Sequence, residues 1–129
     1  MELAFDKMGG LIPAVIQDDS NSEVLMLGFV NPESLLLSQK SGEVHFFSRS
    51  RNQLWKKGET SGHVLKVKSI CVDCDADALL IRVEAVGPGV CHEGYASCFF
   101  RELQPDGSSR VVAERTFDPG AVYLKKEVQ

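Results

Sequence analysis

No apolar run approaches the roughly 20 residues that a membrane-spanning helix needs. Positive charge is in deficit: 14 Lys and Arg stand against 18 Asp and Glu, a net charge of −4. No global basic field is therefore available for nonspecific nucleic-acid binding. The N-terminus carries acids and lacks a basic n-region followed by an apolar h-region, so no secretion signal is expected. The expected location is the cytoplasm. Repeats, low-complexity tracts and interdomain linkers are missing as well. What remains is one expected domain over residues 1–129, long enough for a real core.

The hydrophobic pattern reads as α+β, mostly antiparallel, with one or two short helices. Residues 1–10 read as a short helical or loose start that ends at Gly9-Gly10. Residues 11–17 and 23–30 read as two strands of a hairpin across the turn Asp18-Asp19-Ser20-Asn21-Ser22. Asn31 and Pro32 are cap and first residue of a helix, with Leu35, Leu36 and Leu37 as its buried side and Ser41-Gly42 as its end. Another strand is expected over 43–49, then a polar, basic, flexible stretch to Gly62. Residues 63–86 read as a long β segment, and short edge strands are expected at 110–113 and 121–124.

The densest chemistry is Asp73-Cys74-Asp75-Ala76-Asp77. An extended chain would put the three acids on one face and Cys74 on the other. A tight turn would loosen that parity yet still crowd the acids. Carboxylates about 4–5 Å apart repel by roughly 3–4 kcal/mol at an effective dielectric near 20. The cluster must raise its pKa values, spread into water or hold a cation, and an oxygen triad suits a hard ion such as magnesium. A solvated acidic turn is the plain alternative.

All four cysteines fall between Cys71 and Cys98, without the double CxxC of a zinc knuckle. Cys74, Cys91 and Cys98 would make a three-thiolate zinc site with an open fourth position, the catalytic pattern. His92 is then a fourth ligand or a proton-transfer group. Ordinary buried cysteines are the alternative, and Cys71 reads as packing. Parity also sets Cys74 against the triad. Either the chain folds around, or a second subunit supplies the remaining ligands.

Arg49 and Arg51, two apart, would point the same way on a strand and suit phosphate oxygens. Lys56 and Lys57 add charge, Trp55 offers a flat face for a base, and Gly58 and Gly62 allow close backbone approach. A solvated loop with a core tryptophan is the alternative. His45 and His63 read as polar surface without a chemical role.

Three segments together resemble the phosphoribosyl-AMP cyclohydrolases of histidine biosynthesis: residues 55–62 (WKKGETSG), 73–77 (DCDAD) and 91–99 (CHEGYASCF). The preceding 43–51 (EVHFFSRSR) is similar too, and the likeness spans roughly 11–103. The resemblance implies hydrolysis of the purine ring of 1-(5-phosphoribosyl)-AMP between N1 and C6, giving the formimino-aminoimidazole carboxamide ribonucleotide. It also implies zinc on Cys74, Cys91 and Cys98, shared across an intertwined homodimer, and magnesium on Asp73, Asp75 and Asp77. Substrate would be held by Arg49, Arg51, Trp55, Lys57, Glu59 and Ser61. Zinc lowers the pKa of bound water far enough for hydroxide to attack C6 near neutral pH, with His92 as the expected proton carrier. Where the family commonly has Asn-x-Gln, this chain has His63-Val64-Leu65.

Two other classes compete. A structural zinc module that binds a partner would close its metal with four ligands and turn nothing over. A base deaminase would carry His-x-Glu and then Pro-Cys-x-x-Cys, and Cys91-His92-Glu93 has no such pair after it.

Overall fold

The computed structural model of the chain describes residues 1–124. Its centre is a four-stranded sheet in the order β2-β1-β6-β5, built from β1 (Ile12–Asp18), β2 (Val24–Val30), β5 (Leu65–Val72) and β6 (Leu79–Ala85). Both hairpins are antiparallel, and they join through a parallel β1–β6 contact. Alternation decides which side chains turn inward. Ile12, Ala14 and Ile16 of β1 and Leu79, Ile81 and Val83 of β6 are all buried, and so is Leu65. On the opposite face, register lines up Leu27, Val15, Leu80 and Cys71 across all four strands. That row is apolar, yet Leu27 keeps 45% of its surface exposed and Cys71 is exposed too. Cys71 is therefore not core packing within the chain; its sulfur lies 3.6 Å from Arg82 Nη1.

The inner face is covered by α1 (Pro32–Ser41) and by a third hairpin, β3 (His45–Ser48) with β4 (Gln53–Lys56). Asn31 caps α1 through a reciprocal capping box. Its side chain accepts from Ser34 N at 2.8 Å, while its own N–H donates to Ser34 Oγ at 2.9 Å. The three leucines are not the buried side. Consecutive helical residues step about 100° apart, so three in a row cannot share one face. Ser34 and Ser38, four apart, are fully buried instead, and Leu36 is half exposed. Ser38 Oγ donates to Ser34 O and accepts from His45 N at 2.8 Å, stitching α1 to β3. Small hydroxyls permit that close approach.

The stretch expected to be flexible after 49 contains β4 between two turns, in register with β3 from His45↔Lys56 to Ser48↔Gln53. The hairpin lies against the sheet through Phe46, fully buried over Gly28. A Cβ built on Gly28 would fall 2.5 Å from the Phe46 ring, so glycine sets how closely β3 approaches β2.

Beyond β6 the chain is mostly loop. A small exposed hairpin pairs β7 (Arg101–Leu103) with β8 (Ser109–Val111). The expected strand at 110–113 thus pairs with 101–103, and residues 120–124 form a π-helical turn rather than a strand. The N-terminal start is a 3-10 turn over Phe5–Met8, closed at Gly9.

Candidate active site

The acids gather because the chain turns. Asp73 Oδ1 accepts from Asp77 N at 3.0 Å and Ala78 N at 3.2 Å, while Ala76 takes a positive φ of 63°. This closes the β5–β6 hairpin, so the strand is not extended through the pentad and strict parity does not apply. Oxygens of Asp73, Asp75 and Asp77 come within 4.8 Å of one another. Hydrogen bonding to Asp77 and Asp73 pushes the Asp75 carboxyl above its ordinary value. Asp77 is held below its own by Asp75 and by Lys7, whose Nζ lies 3.3 Å from Asp77 and 3.8 Å from Asp75. Three crowded oxygens that already attract an ammonium fit a hard cation.

Among the described residues the three cysteines do not converge within one chain; the acidic triad is the cluster that does. Cys74 is exposed on the β5–β6 turn. Cys91 and Cys98 are neighbours on the 90–98 loop: burial first, then the adjacent Cys91, pushes the Cys98 thiol up to about 11. Lys57 stands beside this pair, its ammonium pulled below the ordinary lysine value by burial and pushed back up by both cysteines. Two neighbouring sulfurs beside a cation fit a thiophilic metal that would stabilise both as thiolates.

The loop is folded on itself by Cys91 N→Tyr95 O and Gly94 N→Cys91 O. It is tied to β2 by Cys98 N→Leu25 O at 2.7 Å and Ser97 Oγ→Val24 O at 2.8 Å. Val90 at its start accepts from Lys57 Nζ at 2.6 Å. This brings exposed His92 against the β3–β4 hairpin. Arg51, Trp55, Lys56, Lys57, Gly58, Glu59, Thr60, Ser61 and His92 together line one cleft of about 220 Å³. Trp55 belongs to core and cleft at once, its ring centroid 5.0 Å from that of Phe46. Arg51 and Trp55 also wall a second recess of about 250 Å³ with Ser48 and Ser50, two hydroxyls that composition did not single out.

The two arginines diverge, because residues 49–52 form a turn rather than a strand. Arg51 lines the cleft, whereas the Arg49 guanidinium sits 3.9 Å over the Phe29 ring. Glu59 Oε2 accepts from Lys56 N, and Ser61 Oγ from His63 N, so both rim residues also hold their turn. Gly58 serves packing: its φ is +87°, and a Cβ there would lie 2.6 Å from the His63 backbone. His63 is not free surface. Its Nδ1 is 3.0 Å from Gly89 O, and its ring meets Phe117 edge-on.

A family model described as phosphoribosyl-AMP cyclohydrolase matches residues 26–100. The chain belongs to that family. A phosphoribosyl-AMP cyclohydrolase of Solibacter usitatus is 55% identical over 95% of this chain and 97% of its own. Another, from Methanosarcina barkeri, is 57% identical over 88% of this chain and 84% of its own. A third, from Nitratidesulfovibrio vulgaris, is 48% identical over 92% and 94%. The cyclohydrolase segment 26–100 contains the His92 cleft residues, the acidic triad and all three zinc-candidate cysteines.

Proposed function

We propose that the chain is a phosphoribosyl-AMP cyclohydrolase of histidine biosynthesis, opening the purine ring of 1-(5-phosphoribosyl)-AMP at N1–C6. The observation that carries the reading is the single cleft that sets His92 against Trp55 to Ser61, in a chain of this family. Zinc held by Cys74, Cys91 and Cys98 would supply water acidic enough to attack at neutral pH. His92 takes the proton as the new C6–O bond forms and returns it to N1 as N1–C6 breaks. The indole of Trp55 stacks on the purine, and Arg51 pairs with a phosphate. Lys57, fixed at Val90, keeps positive charge beside the cysteine loop. Asp73, Asp75 and Asp77 would hold magnesium, whose charge offsets that of a second phosphate.

Cys74 and the triad sit on the β5–β6 turn and line no part of the His92 cleft. The reading therefore includes a homodimer in which that turn of one subunit meets the Cys91–Cys98 loop of the other. The uncovered apolar row of Leu27, Val15, Leu80 and Cys71 supports a partner on the sheet. No helix among the described residues is long and apolar enough to cross a membrane, which accords with a cytoplasmic enzyme.

The test is an ultraviolet assay of ring opening with the purified chain. Turnover that chelation stops and zinc restores supports the reading; zinc-loaded protein that leaves phosphoribosyl-AMP intact overturns it. Mixing Cys74→Ala with Cys91→Ala subunits tests sharing, since a shared site regains zinc in one of two heterodimer sites.

A further inference from the structure

We propose that Arg115 is a positioning residue: with Thr116 it forms a strap that holds the tip of the Cys91–Cys98 loop and so aims His92 and the two thiols. The strap lies beyond the segment 26–100 that the family model matches. The proposal rests on the zinc-and-His92 reading above for its consequence, though not for its geometry.

Arg115 makes two contacts with the tip. Its Nε donates to Glu93 O at 2.9 Å, and its guanidinium lies 5.3 Å from the Tyr95 ring centroid. Thr116 N donates to the next carbonyl, Gly94 O, at 2.8 Å. Successive carbonyls of the turn are thus taken by successive residues of the strap. Below the turn, Tyr95 stacks on Phe100 with centroids 3.8 Å apart, and both pack with buried Cys91. A shift of Glu93 to Tyr95 would therefore carry Cys91 and His92 with it. The far end of the strap reaches the residue behind the other cleft wall, where Phe117 meets the His63 ring at 5.0 Å. His63 follows the 58–62 turn directly, so the strap bridges the two sides between which substrate would lie.

Loop ends and loop tip are held differently. Val90, Ser97 and Cys98 bond to the hairpin and to β2. The carbonyls of Glu93 and Gly94 bond to the strap. Loosening the strap should free the tip while leaving the fold intact. Groups that orient metal ligands typically change affinity about 10–100-fold when removed.

The experiment compares full-length wild type, Arg115→Met and Arg115→Lys, with Arg110→Met on the β7–β8 hairpin as control. Hydrogen exchange on the metal-free chains is expected to speed up at the Cys91 and Gly94 amides by about 10-fold or more in Arg115→Met. Zinc affinity by chelator competition should fall about 10–100-fold, and kcat should fall with KM nearly unchanged. Arg115→Lys, which keeps charge but loses the planar fork, should recover only part. Arg110→Met should match wild type in all three. If Arg115→Met keeps wild-type exchange at those amides and wild-type zinc affinity, the strap is wrong. Exchange needs neither metal nor substrate. A wild-type chain without zinc or turnover would thus sink the proposed function separately, with exchange still deciding the strap.

Discussion

The ammonium of Lys57 donates a 2.6 Å hydrogen bond to the carbonyl of Val90, 33 positions along the chain. That bond joins the end of the β3–β4 hairpin to the start of the cysteine loop. Lys57→Met leaves the carbonyl without its donor and removes the cation beside Cys91 and Cys98. Stability should drop by about 1–3 kcal/mol, read by urea unfolding, and zinc affinity should weaken alongside.

His92 is exposed on the cleft wall and is expected to carry the proton rather than the metal. His92→Ala should lower kcat about 10²–10⁴-fold with zinc content unchanged by elemental analysis. Loss of zinc in that variant would make it a ligand instead.

Trp55 divides its faces between Phe46 and the cleft. Trp55→Ala should therefore cost about 3 kcal/mol of stability and raise KM together. Trp55→Phe keeps an aromatic packing partner and a smaller stacking plane. Its unfolding midpoint should stay near wild type while KM still rises, and steady-state kinetics beside a melt separate the two effects.

Asp73 and Asp75 should behave in opposite ways without metal. Asp73 Oδ1 holds the turn through two backbone amides, so Asp73→Ala should destabilise by about 1 kcal/mol. Asp75 is crowded by two neighbouring acids, so Asp75→Asn relieves repulsion and should raise metal-free stability. Both should weaken magnesium binding, measurable by calorimetry.

Lys56 holds the Glu43 carboxylate below its ordinary value of 4.5, chiefly by hydrogen bonding, which outweighs the opposing effect of burial, with its charge adding to it. A folded-state value below the unfolded one stabilises above the unfolded value and is lost as pH falls through the folded one. Wild type should exceed Glu43→Gln in stability at pH 7, and the gap should close as pH falls below the ordinary value of 4.5 and through the lower folded-state one. Denaturant titrations at several pH values check this.

Elements fixed by local rules were legible from the residues. The β1–β2 hairpin alternates with one face buried, and the Asn31-Pro32 start is a matter of neighbouring side chains, whereas 63–86 read as one long β segment whose turn at the acids was left open. Pairings between distant segments were not, since nothing in β1 and β6 announces that they lie side by side in parallel. β4 was masked because Lys56 and Trp55 serve the cleft, which breaks the apolar pattern expected of a strand. The helix misled because its inward side is serine. Asp73, Asp75, Asp77, Trp55 and His92 were singled out from the sequence, and the fold places His92 and Trp55 in one cleft. Lys7, Arg115 and the clamp made by His63 act across 70, 22 and 26 positions, and no local spacing marks them.

The missing side chain at Gly28 gauges the cleft from behind. Phe46 rests where a methyl would be, and its register partner is Trp55. Alanine at 28 would lift the hairpin from its seat and tilt the indole with it. A change on a strand that touches no reacting group would then be felt as a poorer grip on the nucleotide.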